Sequence, residues 1–154
     1  IRLLVCKSGA VSVIANSLEP GMSVFPDIAL AAQPVDVEEP FLYHKTTCRQ
    51  VYQDALKLAP GAADVLLYNQ KGESPESTIA NIAVDLRGRL YTPPLQCGLL
   101  PGTLRAFLLE RGDVREKTIT VKQLASCRRI FLLNAVRGMQ QVRLIAPIAS
   151  RDKK

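Results

Sequence analysis

The run Asn69-Gln70-Lys71-Gly72-Glu73-Ser74-Pro75-Glu76-Ser77-Thr78-Ile79-Ala80-Asn81 sits at the middle of this 154-residue chain and organises what lies on either side. Asn69–Gly72 has the turn-forming residues of a tight reversal, and the apolar segment Asp64–Tyr68 before it is predicted to be a strand. Ser77–Val84 is predicted as a second strand, and Arg87-Gly88 folds it back onto a third, Arg89–Thr92. Pro93-Pro94 ends that hairpin. After the loop Gln96–Leu100, Pro101-Gly102-Thr103 opens a helix to about Arg111, because a proline in a first turn gives up no helical hydrogen bond. Arg115–Ile119 reads as a strand, Thr120 as the N-cap of a short helix to Cys127, and Ile130–Leu133 and Val142–Ile145 as the last strands.

Upstream, Arg2–Cys6, Val11–Ala15 and Ile28–Ala32 are strand-like and are separated by Ser8-Gly9, Glu19-Pro20-Gly21 and Pro26-Asp27. They are expected to run as a meander, giving an antiparallel or mixed sheet. Residues 34–40 form an acidic connecting loop, followed by an extended piece, Phe41–Lys45. Thr46 or Thr47 is then expected to cap a helix to about Ala59, with Val51, Ala55, Leu58 and Ala59 on one face at helical spacing and Pro60-Gly61 as its stop.

The apolar fraction of 47% with 22% charged residues is that of an ordinary globular domain. No apolar run has the length of a membrane span, so no membrane role is expected. The start at Ile1 has no leader-like pattern and suggests a piece of something longer. Twenty basic against fourteen acidic residues give +6. These charges are scattered, with a small cluster at Arg151, Lys153 and Lys154, and no aromatics are interleaved with them. Anionic small ligands therefore fit better than nucleic acid. Cys6, Cys48, Cys97 and Cys127 are too far apart for zinc spacing, so no metal is expected. They read as reduced thiols of a cytoplasmic protein, mostly packed in the core.

Three ordered motifs carry a family resemblance: the run at 69–81, Thr92-Pro93-Pro94-Leu95-Gln96-Cys97-Gly98-Leu99-Leu100-Pro101-Gly102-Thr103-Leu104-Arg105, and Asn134-Ala135-Val136-Arg137-Gly138. Together with His44-Lys45-Thr46-Thr47-Cys48-Arg49, they resemble the fold-type IV pyridoxal-phosphate enzymes, the class IV aminotransferase-like family. The resemblance runs from about Phe41 to the end. It implies an α/β (α+β) fold, the large C-terminal domain of those enzymes, with mixed and antiparallel sheets forming a pseudo-barrel and helices packed on it. Residues 1–40 would then be a strand-rich connecting part left from an N-terminal region, and 41–154 the cofactor-binding large domain.

The same resemblance implies roles. Lys45 would form the Schiff base with pyridoxal phosphate, and Glu76, 31 positions later, would contact its pyridine nitrogen. A carboxylate there keeps that nitrogen protonated and the ring a good electron sink. The backbone N–H groups of Thr103 and Leu104 would hold the phosphate at a helix N-terminus, while Ile79, Ala80 and Asn81 line the cofactor. Arg137 is a weaker candidate for a substrate carboxylate. His44 reads as structural, pointing away from Lys45 on an extended segment. Ala135, where transaminases usually carry a threonine hydroxyl, leans the resemblance toward aminodeoxychorismate lyases and lyase domains fused to aminodeoxychorismate synthase. The expected activity is conversion of 4-amino-4-deoxychorismate to 4-aminobenzoate and pyruvate in folate synthesis. A branched-chain or D-amino-acid transaminase is the alternative, and an inactive fragment lacking its N-terminal domain a third. A homodimer completed by that domain is the expected assembly.

Overall fold

A computed structural model of the chain describes residues 1–17 and 26–145. The turn expected at Glu19-Pro20-Gly21 and the basic cluster at 151–154 lie outside them. The described residues form a mixed α/β fold. β1 (Arg2–Val5) and β2 (Val11–Ile14) pair as an antiparallel hairpin of their own. A seven-stranded mixed sheet follows in the order β4-β3-β9-β8-β5-β6-β7. Its strands are β3 (Asp27–Leu30), β4 (Asp64–Leu66), β5 (Asn81–Leu86), β6 (Arg89–Thr92), β7 (Arg115–Glu116), β8 (Arg129–Asn134) and β9 (Gly138–Leu144). The helices are α1 (Gln50–Lys57), α2 (Thr103–Glu110) and α3 (Val121–Ser126).

The expected meander does not form. β3 leaves β1 and β2 and lies parallel to both β4 and β9. Burial explains the separation. Ile28 is fully enclosed, whereas Leu3, Val5, Val11 and Val13 of the hairpin are exposed.

Strand alternation distributes the core over both faces of the large sheet. Ile82 and Val84 of β5 join Leu66, Ile130, Leu132 and α3's Leu124 on one side. Ala83 between them points the other way, to Val114, Leu133 and the α2 residues Leu104 and Leu108. Val65 and Leu67 pack with Leu42 and the α1 residue Tyr52 in a third cluster. Thr120 caps α3 as the sequence indicates, through a reciprocal capping box with Gln123.

Other boundaries move. Phe41–Lys45 is not extended: Pro40–Leu42 makes a 3-10 turn whose Phe41 N–H donates to Glu39 Oε1, 3.2 Å. α1 starts at Gln50, not after Thr46 or Thr47, and its N-cap is Arg49. Thr46 Oγ1 instead accepts from the Cys48 N–H at 3.2 Å, a local turn that competes with helix. Leu58, expected to share a helical face with Val51 and Ala55, is exposed at the C-cap because the helix has already ended at Lys57. Cys6 and Cys48 are exposed and Cys127 half-buried, so only Cys97 is a core thiol.

Candidate active site

Glu76 is placed by the turn that follows it. The Ser77 N–H donates to Ala80 O at 2.8 Å, and the Ala80 N–H donates to Ser77 Oγ at 3.0 Å. The strand expected from Ser77 therefore begins only at Asn81, after this serine-stapled reversal. Asp64 Oδ1 fastens the turn from below, accepting from the Thr78 N–H at 3.2 Å and the Thr78 hydroxyl at 2.5 Å. The reversal brings Asn81 opposite Glu76 in an antiparallel bridge. That is the physical content of a glutamate and an asparagine five positions apart.

The Glu76 carboxyl is buried and surrounded by donors. The Tyr52 hydroxyl donates to Oε1 at 2.8 Å, while Oε2 accepts from Asn81 Nδ2 at 3.1 Å and the Leu100 N–H at 3.2 Å. Burial pushes this carboxyl up to about 8. The Tyr52 and Leu100 hydrogen bonds and the Lys45 and Arg49 cations pull in the opposite direction. Burial and the negative field of Glu76 together raise the Tyr52 phenol far above its ordinary value, so it stays a proton donor.

Lys45 lies in the loop between the 3-10 turn and α1, held on one side by the fully buried Leu42 and on the other by the helix start. Arg49 stacks over the Tyr52 ring with its guanidinium carbon 4.5 Å from the centroid, and its Nη2 donates to Thr78 O. Across the site, Asn134 Nδ2 donates to Ile79 O at 3.1 Å while its Oδ1 accepts from the Val136 N–H at 2.9 Å. This shapes the β8–β9 turn. α2 opens toward the same space, with Gly102 as its N-cap. The first regular helical bond is made by the Ala106 N–H to Gly102 O, so the earlier N–H groups of α2 have no intrahelical acceptor.

These pieces enclose a cavity of about 480 Å³. Of the sequence-predicted residues, Lys45, Glu76, Ile79, Ala80, Asn81 and Thr103 line it. Leu104 and Arg137 are not among its lining residues. The Leu104 side chain packs into the core beneath α2, and Arg137 is exposed on the β8–β9 turn. His44 lines the cavity, against the expectation that it points away, because the segment is a turn and not a strand. Arg49 and Tyr52 were not singled out from the sequence. Their signal is the three-residue spacing that sets the N-cap Arg49 beside Tyr52 in α1's first turn. The cavity's charges are the Lys45 and Arg49 cations against one carboxyl, which favours an anionic ligand.

Residues 4–145 match the family described as amino-transferase class IV. A Schizosaccharomyces pombe protein provisionally named aminodeoxychorismate lyase is 33% identical over 145 residues, covering 89% of this chain and 63% of its own length. The chain thus spans less than two thirds of that relative. A crystal structure of a provisionally named amino-acid aminotransferase from Mesorhizobium loti superposes with TM-score 0.86 at 37% identity, covering 93% of this chain and 71% of that one. The PLP-bound form of a hypothetical aminotransferase from Mycobacterium tuberculosis shares the fold, with TM-score 0.67 at 22% identity over 78% of this chain and 47% of that one.

Proposed function

Because the chain belongs to the amino-transferase class IV family, we propose that it is the larger part of a pyridoxal-phosphate enzyme forming 4-aminobenzoate and pyruvate from 4-amino-4-deoxychorismate. The observation that carries this reading is that Lys45 and Glu76, far apart in sequence, line one cavity. The donor set suits the cofactor. Desolvation that raises this buried carboxyl to about 8 leaves its anion short of a counter-cation, and a cationic ring N–H beside it would offset that burial and draw the value back down. The unpaired N–H groups at the start of α2, with the Thr103 side chain, suit a phosphate. When bound, the cofactor supplies an electron sink for charge developing on the substrate carbon that bears the amine.

The chain's own residues divide the remaining work. The Lys45 amine would hold the cofactor and, as a free amine, would be the base that accepts the proton from the amine-bearing ring carbon. The Glu76 carboxylate would keep the proton on the ring nitrogen. Ile79 and Ala80 form an apolar wall, and the Lys45 and Arg49 cations favour a carboxylate-bearing substrate. The name of the Schizosaccharomyces pombe relative supports the lyase. The name of the Mesorhizobium loti protein, at higher identity, favours a second reading as an amino-acid transaminase.

Purified protein supplied with pyridoxal phosphate and 4-amino-4-deoxychorismate tests the choice. Pyruvate release with no 2-oxo acid added supports the lyase; amino-group exchange that requires a 2-oxo acid overturns it in favour of the transaminase. Loss of the cofactor's covalent absorbance band in Lys45→Ala checks the attachment point. A wild-type chain that never develops that band counts against both readings for this length of chain.

A further inference from the structure

We propose that Tyr52 is a positioning residue, whose hydroxyl fixes the Glu76 carboxylate in the orientation that meets the cofactor's ring nitrogen. This rests on the cofactor reading above and adds to it a residue that the lysine–glutamate pair does not include. Both oxygens of Glu76 are engaged, but unequally. Oε2 is held by Asn81 Nδ2 and the Leu100 N–H, whereas Oε1 accepts from the Tyr52 hydroxyl at 2.8 Å. Removing that hydroxyl leaves Oε1 with no protein donor among the described residues, and the carboxyl free to rotate about the bond to its fixed side.

The phenol is itself immobilised. Tyr52 is buried against Val65 and Leu67, and Arg49 covers its ring at 4.5 Å while donating to Thr78 O. Tyr52 belongs to α1, the helix that directly follows the Lys45 loop. One short element therefore sets the lysine at its entrance and the carboxylate's orientation through its first turn. A shift of α1 would move both together. The charged groups that face Glu76 are Lys45 and Arg49, and Tyr52 is its titratable neighbour. The Asn81 amide and the Leu100 N–H do not titrate.

The experiment compares wild type, Tyr52→Phe, Glu76→Gln and the double variant. The first readout needs no cofactor: the carboxyl 13C signal of Glu76, identified by its loss in Glu76→Gln, is followed against pH. Burial is expected to put the wild-type midpoint at about 8, and Tyr52→Phe is expected to raise that midpoint by about one pH unit, the worth of one hydrogen bond to a charged acceptor. Replacing Tyr52 by a ring-fluorinated tyrosine, a stronger donor, should lower it, which covers the case of a Phe variant that folds poorly. The second readout is pyridoxal-phosphate affinity by absorbance titration. Tyr52→Phe should weaken it by roughly tenfold in the wild-type background and leave it unchanged in Glu76→Gln. An unmoved midpoint, or an equal loss of affinity in both backgrounds, overturns the proposal. If no variant and no wild type binds the cofactor, the cofactor reading fails separately, while the midpoint still decides whether the hydroxyl governs Glu76.

Discussion

Gly102 packs so tightly on Asn81 that a Cβ added to it would overlap Asn81 Oδ1. The backbone at Gly102, φ −70° and ψ 141°, is open to any residue, so space alone demands glycine here. Asn81 cannot swing aside cheaply, because its Nδ2 donates both to Glu76 Oε2 at 3.1 Å and to Leu100 O at 2.8 Å. The contact thus joins the start of α2, where an anion is expected, to the carboxylate that is expected to hold a ring nitrogen.

Gly102→Ala should therefore cost about 1–3 kcal/mol in urea unfolding, the range for forcing a methyl into a filled space. It should also weaken pyridoxal-phosphate binding more than an alanine on the outer face of α2 would. Truncating Asn81 to Ser relieves the overlap, so the two substitutions together should destabilise less than their separate effects summed. Strict additivity would show that the two residues do not press on one another.

Glu76 makes a prediction about pH. Burial raises its folded-state value to about 8 from an ordinary 4.5, so between those values the folded chain holds a proton that the unfolded chain has released. Stability from this group is complete below about 4.5 and declines as pH climbs through about 8. The cofactor-free protein should lose stability across that interval, and Glu76→Gln, which cannot ionise, should flatten the slope. Denaturant midpoints taken every half pH unit in both proteins measure the difference. Parallel curves would mean that the Glu76 carboxyl is not raised.

Much of this site was legible in the sequence because its motifs are local. The glutamate with an asparagine five later and the Pro-Gly helix start each fix their own geometry within a few residues, whereas the segment around Lys45 turns where an extended piece is expected. The cavity collects Lys45, Glu76, Ile79, Ala80, Asn81 and Thr103. What escaped depends on tertiary placement. Tyr52 looked like one more helical residue until α1 packed on β4 and aimed its hydroxyl at Glu76. β3 looked like the third strand of a meander, but parallel partners come from β4 and β9, far along the chain, and no local pattern announces them. The strand expected from Ser77 failed for a readable reason: its serine hydroxyl takes the Ala80 N–H and closes a turn.

Asp64 offers a test of how far the site depends on its scaffold. It is buried at the start of β4, and its Oδ1 accepts from the Val65 N–H at 2.7 Å and from the Thr78 N–H and hydroxyl. Its Oδ2 has no partner among the described residues. Asp64→Ala strips the acceptor from the 77–80 turn and should destabilise the protein by about 2–4 kcal/mol. Because Thr78 O receives the Arg49 guanidinium and the same turn carries Ile79 and Ala80 into the cavity, cofactor affinity should fall as well. Asp64→Asn keeps an oxygen in the Oδ1 position and gives up only the unpartnered one, so it should be much milder on both counts. Urea unfolding and absorbance titration of the two variants decide the matter. Equal damage from Asn and Ala would mean that the turn is held by something other than that one oxygen.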